Sequence, residues 1–283
     1  MQKTNFIILL LMATLPCVAQ PDDVLLREQV EEYLIDARRG GDEAQYNLGI
    51  CYLNGNGVSQ SYEEAAKWFE KAAKQGHVEA QYNLGVCYLK GQGVNQDYAE
   101  AVKWFTLAAD KGNADAMYNL ATSYMNGESV TQDIEKAMLL YEQASEKGHI
   151  QSQRVLGDCY FFGMGIPKDY KKAVEWYTQA AENGDADTQY ELGFMYYTGN
   201  GVEKCDEMAV FWFRKSAEQG NAFAQFLLGN CLENGQGTPQ DLEEALHWYE
   251  KAAAQGHEGA EEKAKNNRPS PQLLKQKQEK QLF

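Results

Sequence analysis

Residues 80–115 read AQYNLGVCYLKGQGVNQDYAEAVKWFTLAADKGNAD, and the same pattern occurs six times in a row without insertion or deletion. The copies begin at Ala44, Ala80, Ala116, Ser152, Thr188 and Ala224, a constant 36 residues apart, and the last ends at Gly259. Glycine fills the twelfth place of every copy, from Gly55 and Gly91 to Gly235, and the thirty-third, from Gly76 and Gly112 to Gly256. Alanine fills the twenty-second. All five tryptophans stand at the twenty-fifth, with Leu140 in the third copy. A fixed period of this length marks a stack of small supersecondary units, each of which buries its apolar face against the next.

Each copy reads as two helices. Ala80, Leu84, Gly85 and Tyr88 follow helical rather than alternating spacing. Gly91-Gln92-Gly93 ends that helix, because glycine takes a positive φ without cost. Asp97 caps the second helix, and Glu100 three residues later suggests a capping box, a device repeated at Ser61 with Glu64 and Asp241 with Glu244. Ala101, Trp104, Phe105, Ala108 and Ala109 form the buried stripe of this helix, and Gly112 closes it. A glycine inside a helix costs about 1 kcal/mol relative to alanine. Its recurrence at Gly49, Gly85, Gly157, Gly193 and Gly229 therefore predicts close helix-on-helix approach, with Ala121 as the substitute in the third copy.

The unit A-x-x-x-L-G-x-x-Y-x-x-G-x-G-V, followed by D-x-x-x-A-x-x-W-[FY]-x-x-A-A-x-x-G, resembles the Sel1-like repeat, a relative of the tetratricopeptide repeat. The resemblance covers residues 44–259. It implies an all-α chain: a right-handed α-α superhelix, or solenoid, of six helix-pair repeats whose concave wall is lined by the first helices. It also implies an adaptor or scaffold that binds a protein or peptide. The third copy departs most, with Ala121, Glu128-Ser129 and Leu140, so looser packing is expected there.

The ends follow the same plan. Residues 1–19 read as a secretory signal peptide, with Lys3 as the positive start, an apolar stretch from Phe6 to Leu15, and cleavage after Ala19. A lipid-attachment reading at Cys17 fits Thr14-Leu15-Pro16 poorly. The expected destination is the periplasm or exterior of a bacterium. The absence of glycosylation acceptors and of a KDEL-type ending agrees with this. Residues 20–43 form an N-terminal capping helix in which Glu32 replaces the tryptophan. Residues 260–283 form a short C-terminal cap and a basic tail, broken at Pro269 and Pro271, with Lys275, Lys277 and Lys280 against Glu279.

The whole chain of 283 residues carries 41 acidic and 26 basic side chains, a formal charge of -15. That balance repels phosphate backbones and disfavours nucleic acid as a partner. No apolar run is long enough for a stable membrane span. The search for chemistry is equally negative, and no cofactor or metal is expected. Cys51, Cys87, Cys159 and Cys231 share the eighth place. Helices pack roughly 8–10 Å apart while disulfide Cα atoms need roughly 4.4–6.8 Å, so these are expected to be buried, reduced core residues. Cys205 replaces a capping aspartate and is expected to be exposed. His77, His149 and His257 share a helix-starting place, and His257-Glu258 lacks the second histidine of HExxH. Within the resembled family, a cysteine-rich branch is classed as secreted beta-lactamases, which makes a hydrolase of that kind the alternative function. Its members pair cysteines within a unit, whereas each unit here holds at most one.

The tetratricopeptide resemblance places the third, seventh, tenth and eleventh residues of each first helix on the concave wall. The candidate protein-binding residues there are Tyr46, Tyr82, Tyr118, Phe161, Phe162, Tyr190, Phe194, Tyr197 and Phe226. Phe161, Phe162, Tyr190, Phe194 and Tyr197 are expected to form one aromatic patch rimmed by Asp158 and Glu191, outside the repeat core. Asn47, Asn83 and Asn119 match the asparagine with which carboxylate-clamp relatives grip a peptide, so they are candidate peptide hydrogen-bonding residues. Tyrosine replaces the lysine of those clamps.

Overall fold

The computed structural model describes residues 21–268. Among them are fourteen α-helices and no strand. The leader with its Ala19 cleavage point and most of the basic tail lie outside the described residues.

The chain divides into two compact units, before and after residues 132/133. The first holds α1 (Pro21–Arg38), α2 (Asp42–Asn54), α3 (Tyr62–Gln75), α4 (Val78–Lys90), α5 (Tyr98–Asp110) and α6 (Ala114–Asn126). The second holds α7 (Ile134–Glu146), α8 (Ile150–Phe162), α9 (Tyr170–Glu182), α10 (Ala186–Thr198), α11 (Asp206–Glu218), α12 (Ala222–Asn234), α13 (Leu242–Ala254) and α14 (Glu258–Asn267). Within each unit every helix packs on the next in the chain, the arrangement of an all-α solenoid. The division falls inside the third copy. There Ser129, at the place held elsewhere by the second glycine of the G-x-G stop, adopts φ 57°, a left-handed conformation no other described non-glycine residue takes.

The in-helix glycines explain the close packing. A Cβ on Gly85 would lie 2.6 Å from the Phe105 ring, on Gly157 2.3 Å from Tyr177 and on Gly193 2.7 Å from Phe213. The ring that fills each gap is the twenty-sixth residue, and Phe69, Phe105, Tyr177, Phe213 and Tyr249 are all essentially inaccessible. The neighbouring tryptophans sit nearer the edge, and Trp68 and Trp176 are only half-buried.

The second helices are capped as expected on one side only. Ser61 accepts from the Glu64 N–H, Asp97 from those of Ala99 and Glu100, and Asp241 from those of Glu243 and Glu244. The reciprocal half of the capping box does not form. The N–H groups of Ser61, Asp97 and Asp241 donate instead to the carbonyls of Tyr52, Tyr88 and Leu232 on the preceding helix, at 2.9–3.0 Å. That frees Glu64 and Glu100 to pair with Lys67 and Lys103. First helices start on His77, Asn113, His149, Asp185, Asn221 and His257, each accepting from the N–H three residues on. His77, His149 and His257 are caps.

Two elements were not evident from the repeat alone. Buried glutamines at the second place form a polar rung between helix pairs. Gln45, Gln81, Gln189 and Gln225 donate to the carbonyls of Ala37, Ala73, Ala181 and Ala217. Their side-chain oxygens accept from Gln75, Gln219 and Gln255, as does that of Gln153 from Asn183, whereas the buried Gln81 oxygen has no partner. Lys111 stands where its donor is due and reaches the Gly76 carbonyl instead. At the amino end α1 packs on α2 through Val30, Ala37 and Leu48, the partial core of a cap.

All five described cysteines are free. Cys87, Cys159 and Cys231 are buried, and loss of solvent pushes each thiol up to about 11. Two expectations are corrected. Cys51 is only half-buried, because the short core beneath α1 covers it incompletely, and Cys205 is half-buried rather than exposed, with its Sγ 3.5 Å from a Glu207 carboxylate oxygen.

Candidate functional site

The first-helix wall has one exposure pattern in both units. The third, seventh and tenth places are half-buried, from Tyr46, Ile50 and Leu53 to Phe226, Asn230 and Glu233, and the eleventh is exposed. What varies is chemistry. In the first unit Ile50, Leu53 and Tyr46 pack on the core around Phe69. Asn119 donates to the Asp115 carbonyl at 2.8 Å, and Asn47 reaches Glu43 at 3.5 Å. Two of the three candidate peptide-binding amides are thus engaged within their own helix, four residues back. Tyr46 also stacks on the capping His77 at 4.6 Å, as Phe226 does on His257 at 4.4 Å. Tyr82 lies 6.0 Å from Phe105, and Tyr118 is half-buried.

In the second unit the wall opens into a cleft of about 370 Å³. Its lining comes from three first helices: Arg154 and Asp158 from α8, Asp187, Tyr190 and Glu191 from α10, and Phe223 from α12 with its cap Asn221. Tyr177 donates to Asp158 at 2.7 Å, and Asp187 takes Arg154 at 3.3 Å on one oxygen and Asn221 at 3.0 Å on the other. Burial raises the Asp158 carboxyl above the ordinary carboxylate range, against the Tyr177 hydrogen bond and Arg154. Burial also raises Glu191, and the negative charges of Asp158 and Asp187 raise it further. Glu191 stands at the fourth place, where Asn47, Asn83 and Asn119 stand in the first three copies.

The expected single aromatic patch is two groups. Phe161 meets Phe162 edge-on at 4.9 Å and Tyr170 at 5.3 Å, above the core ring Tyr177. Tyr190 and Tyr197 gather instead round Phe213, with Phe194 6.4 Å from Tyr190. Phe194, expected outside the core, packs against the buried cluster of Phe213, Leu228 and Tyr249, because the seventh place faces the next helix pair. Phe162 is 57% exposed. The residue the repeat reading passed over is Phe223, 59% exposed and 6.0 Å from Tyr190. Its signal was present: the thirty-sixth place otherwise holds Glu79, Asp115, Gln151, Asp187 and Gly259.

A second signal lies in two columns read together. Where the twenty-sixth residue is Phe69, Phe105 or Phe213, the seventh is Ile50, Val86 or Phe194. Where it is Tyr177 or Tyr249, the seventh is Asp158 or Asn230, and the hydroxyl bonds to it at 2.7 or 2.8 Å. A larger hollow of about 470 Å³, lined by Met138, Leu139 and Ile166 with Glu135, Glu142, Lys168 and Lys172, carries both signs of charge and has no field to select a partner. No group of three or more metal-ligating side chains occurs among the described residues, nor does any helix there have the length and apolarity to cross a membrane.

Comparison with known proteins agrees with this architecture. A family model described as Sel1 repeat matches residues 42–77, 78–113, 114–149, 150–185, 186–221 and 222–257, framing each copy two residues earlier than above. Among solved structures, a protective antigen present in uropathogenic Escherichia coli strains, displaying an SLR fold, is 38% identical with a TM-score of 0.78, over 82% of this chain and 50% of its own. This chain therefore spans about half the length of that antigen. A Sel1 repeat protein from Oxalobacter formigenes is 31% identical with a TM-score of 0.66, over 82% of this chain and 96% of its own. No curated protein matches the chain. With six matched copies covering most of its length, the chain belongs to the Sel1 repeat family.

Proposed function

We propose that the chain is an exported, non-enzymatic scaffold that binds a protein or peptide on the first-helix wall of its second unit. The observation that carries this reading is the exposure of Phe162, at the end of α8, and of Phe223, which lines the α8–α10–α12 cleft, each more than half accessible. Large rings left in water supply contact area at low ordering cost, and such residues are common hot spots. The repeat family and the helix-pair stack support a scaffold. The leader sequence supports export, and a protective antigen among the relatives is in keeping with it. Burial pushes the Cys87, Cys159 and Cys231 thiols up to about 11, which disfavours them as nucleophiles at neutral pH.

The test is a substitution pair. Phe162→Ala with Phe223→Ala should weaken retention of a captured protein partner by at least roughly 2 kcal/mol if both rings are hot spots. The thermal midpoint should hardly move, because both rings face solvent. A double variant that stays folded and keeps its partner at full strength refutes the assignment. Export is checked separately by the intact mass of the secreted form, which should begin at Gln20.

A further inference from the structure

We propose that the cleft between α8, α10 and α12 receives a lysine or arginine side chain from an extended segment of a partner protein, whose apolar neighbours rest on Phe162 and Phe223. The inference rests on the scaffold reading above and adds the chemistry of what is bound.

Three observations carry it. First, the cleft holds three carboxylates against one guanidinium, and that guanidinium is already committed to Asp187, as is Asn221. Second, the other two carboxylates are short of donors. Asp158 receives only the Tyr177 hydroxyl, and Glu191 forms no hydrogen bond or ion pair with another described residue. Half-buried carboxylate oxygens without donors are costly, and their raised affinity for protons reports the same deficit. An entering cation supplies the missing positive charge and up to five N–H donors if it is a guanidinium. Third, the Phe223 and Tyr190 rings line the cleft with their centroids 6.0 Å apart, and aromatic rings attract a cation and shelter the aliphatic stem that carries it.

The same features exclude other ligands. A peptide C-terminus or a phosphate would bring negative charge to Asp158 and Glu191. A free inorganic cation would make no use of the exposed rings. A protein segment with one basic residue between apolar ones uses all of them, and complementary charge at close range selects it over a neutral or acidic one.

The probe is a fluorescein-labelled decapeptide with one central lysine flanked by leucine and phenylalanine, titrated by anisotropy against the full chain. Its twins carry glutamine or glutamate at the centre. The lysine peptide should bind at least tenfold tighter than the glutamine twin and weaken with added salt. Glu191→Lys should lower lysine-peptide affinity at least tenfold and raise that of the glutamate twin. The milder Glu191→Gln should lower the first without helping the second, and the unpartnered carboxylate makes it a safe substitution for folding. Lysine and glutamate twins that bind alike overturn the cation inference. If Phe162→Ala with Phe223→Ala still releases the natural partner in that case, the scaffold reading survives alone. A lysine peptide unaffected by either Glu191 variant binds outside the cleft. A chain ending at Arg268 should bind as the full chain does. If it binds the probe tenfold tighter, the chain's own basic segment fills the cleft and an external occupant is overturned.

Discussion

The wall of α2 and α4 and the wall of α8 and α10 are built on the same helix pairs and differ in almost every side chain they show. Beneath both, a glycine of the first helix meets an aromatic ring of the second, Phe69 and Phe105 in one unit and Tyr177 and Phe213 in the other. Above that layer, Ile50 and Val86 give way to Asp158 and Phe194, and Asn47 and Asn83 give way to Val155 and Glu191. In the first unit Asn47 and Asn119 hydrogen-bond within their own helices, and Tyr46 and Tyr82 lie against the core rings Phe69 and Phe105. In the second, carboxylates are left short of donors and rings are left in water. The difference teaches that the repeat constrains some columns for packing and leaves others free to carry recognition.

The comparison breaks most visibly at its shared layer. Gly85→Ala and Gly193→Ala should each destabilise by about 2 kcal/mol, since a methyl group would overlap Phe105 or Phe213 in a filled gap. Denaturant midpoints should fall by similar amounts in both. A harmless Gly85→Ala beside a severe Gly193→Ala would mean that the two regions are not built alike.

The seventh and twenty-sixth columns sharpen the comparison at a smaller scale. Tyr177→Phe should cost about 1–2 kcal/mol at neutral pH, because Asp158 loses its donor while half-buried. Adding Asp158→Asn should recover part of the loss, since the neutral amide is cheaper to leave unpaired. Equal midpoints for Tyr177→Phe and the original chain would show that the hydroxyl contributes nothing.

Acid should separate the regions as well. The folded-state pKa values of Asp158 and Glu191 lie above their unfolded values, so folding takes up protons between the two. Their contribution is favourable below the ordinary carboxylate pKa and is lost as pH rises through the raised values. Glu191→Gln should therefore match or slightly exceed the original stability at pH 7, and that advantage should vanish toward pH 4. Stability measured across this range checks the sign.

The smallest effect concerns the glutamine rung. Lys111→Gln supplies the donor that Gln81 lacks and that Gln45, Gln189 and Gln225 possess. A gain below about 1 kcal/mol is expected, since a new buried hydrogen bond replaces the Lys111 contact to Gly76. A loss would mean that the lysine contact is worth more than the rung.

The fold was legible because its signals are local and repeated. The stop glycines and the twenty-second-place alanine each appear six times and the second-helix cap five times, so accidental matches cancel. The wall was only partly legible because exposure there depends on partners far along the chain. Phe194 and Phe162 both look like free rings in sequence, yet the first packs on Phe213, nineteen residues on, and the second does not. The reciprocal half of the capping box failed for a similar reason: a carbonyl of the preceding helix competes successfully for the cap N–H. Phe223 and the paired columns were within reach of a reading that compared each place with its own column rather than with the consensus.

The most direct measurement of the central claim compares one place in two copies. Lys90 and Phe162 both occupy the exposed eleventh place, one at the end of α4 and one at the end of α8. A photo-crosslinking phenylalanine analogue at position 162 should give a covalent adduct with the captured partner, and the same analogue at position 90 should give little or none. Strong adducts at 90 with none at 162 would contradict the account, placing recognition on the wall it assigns to packing.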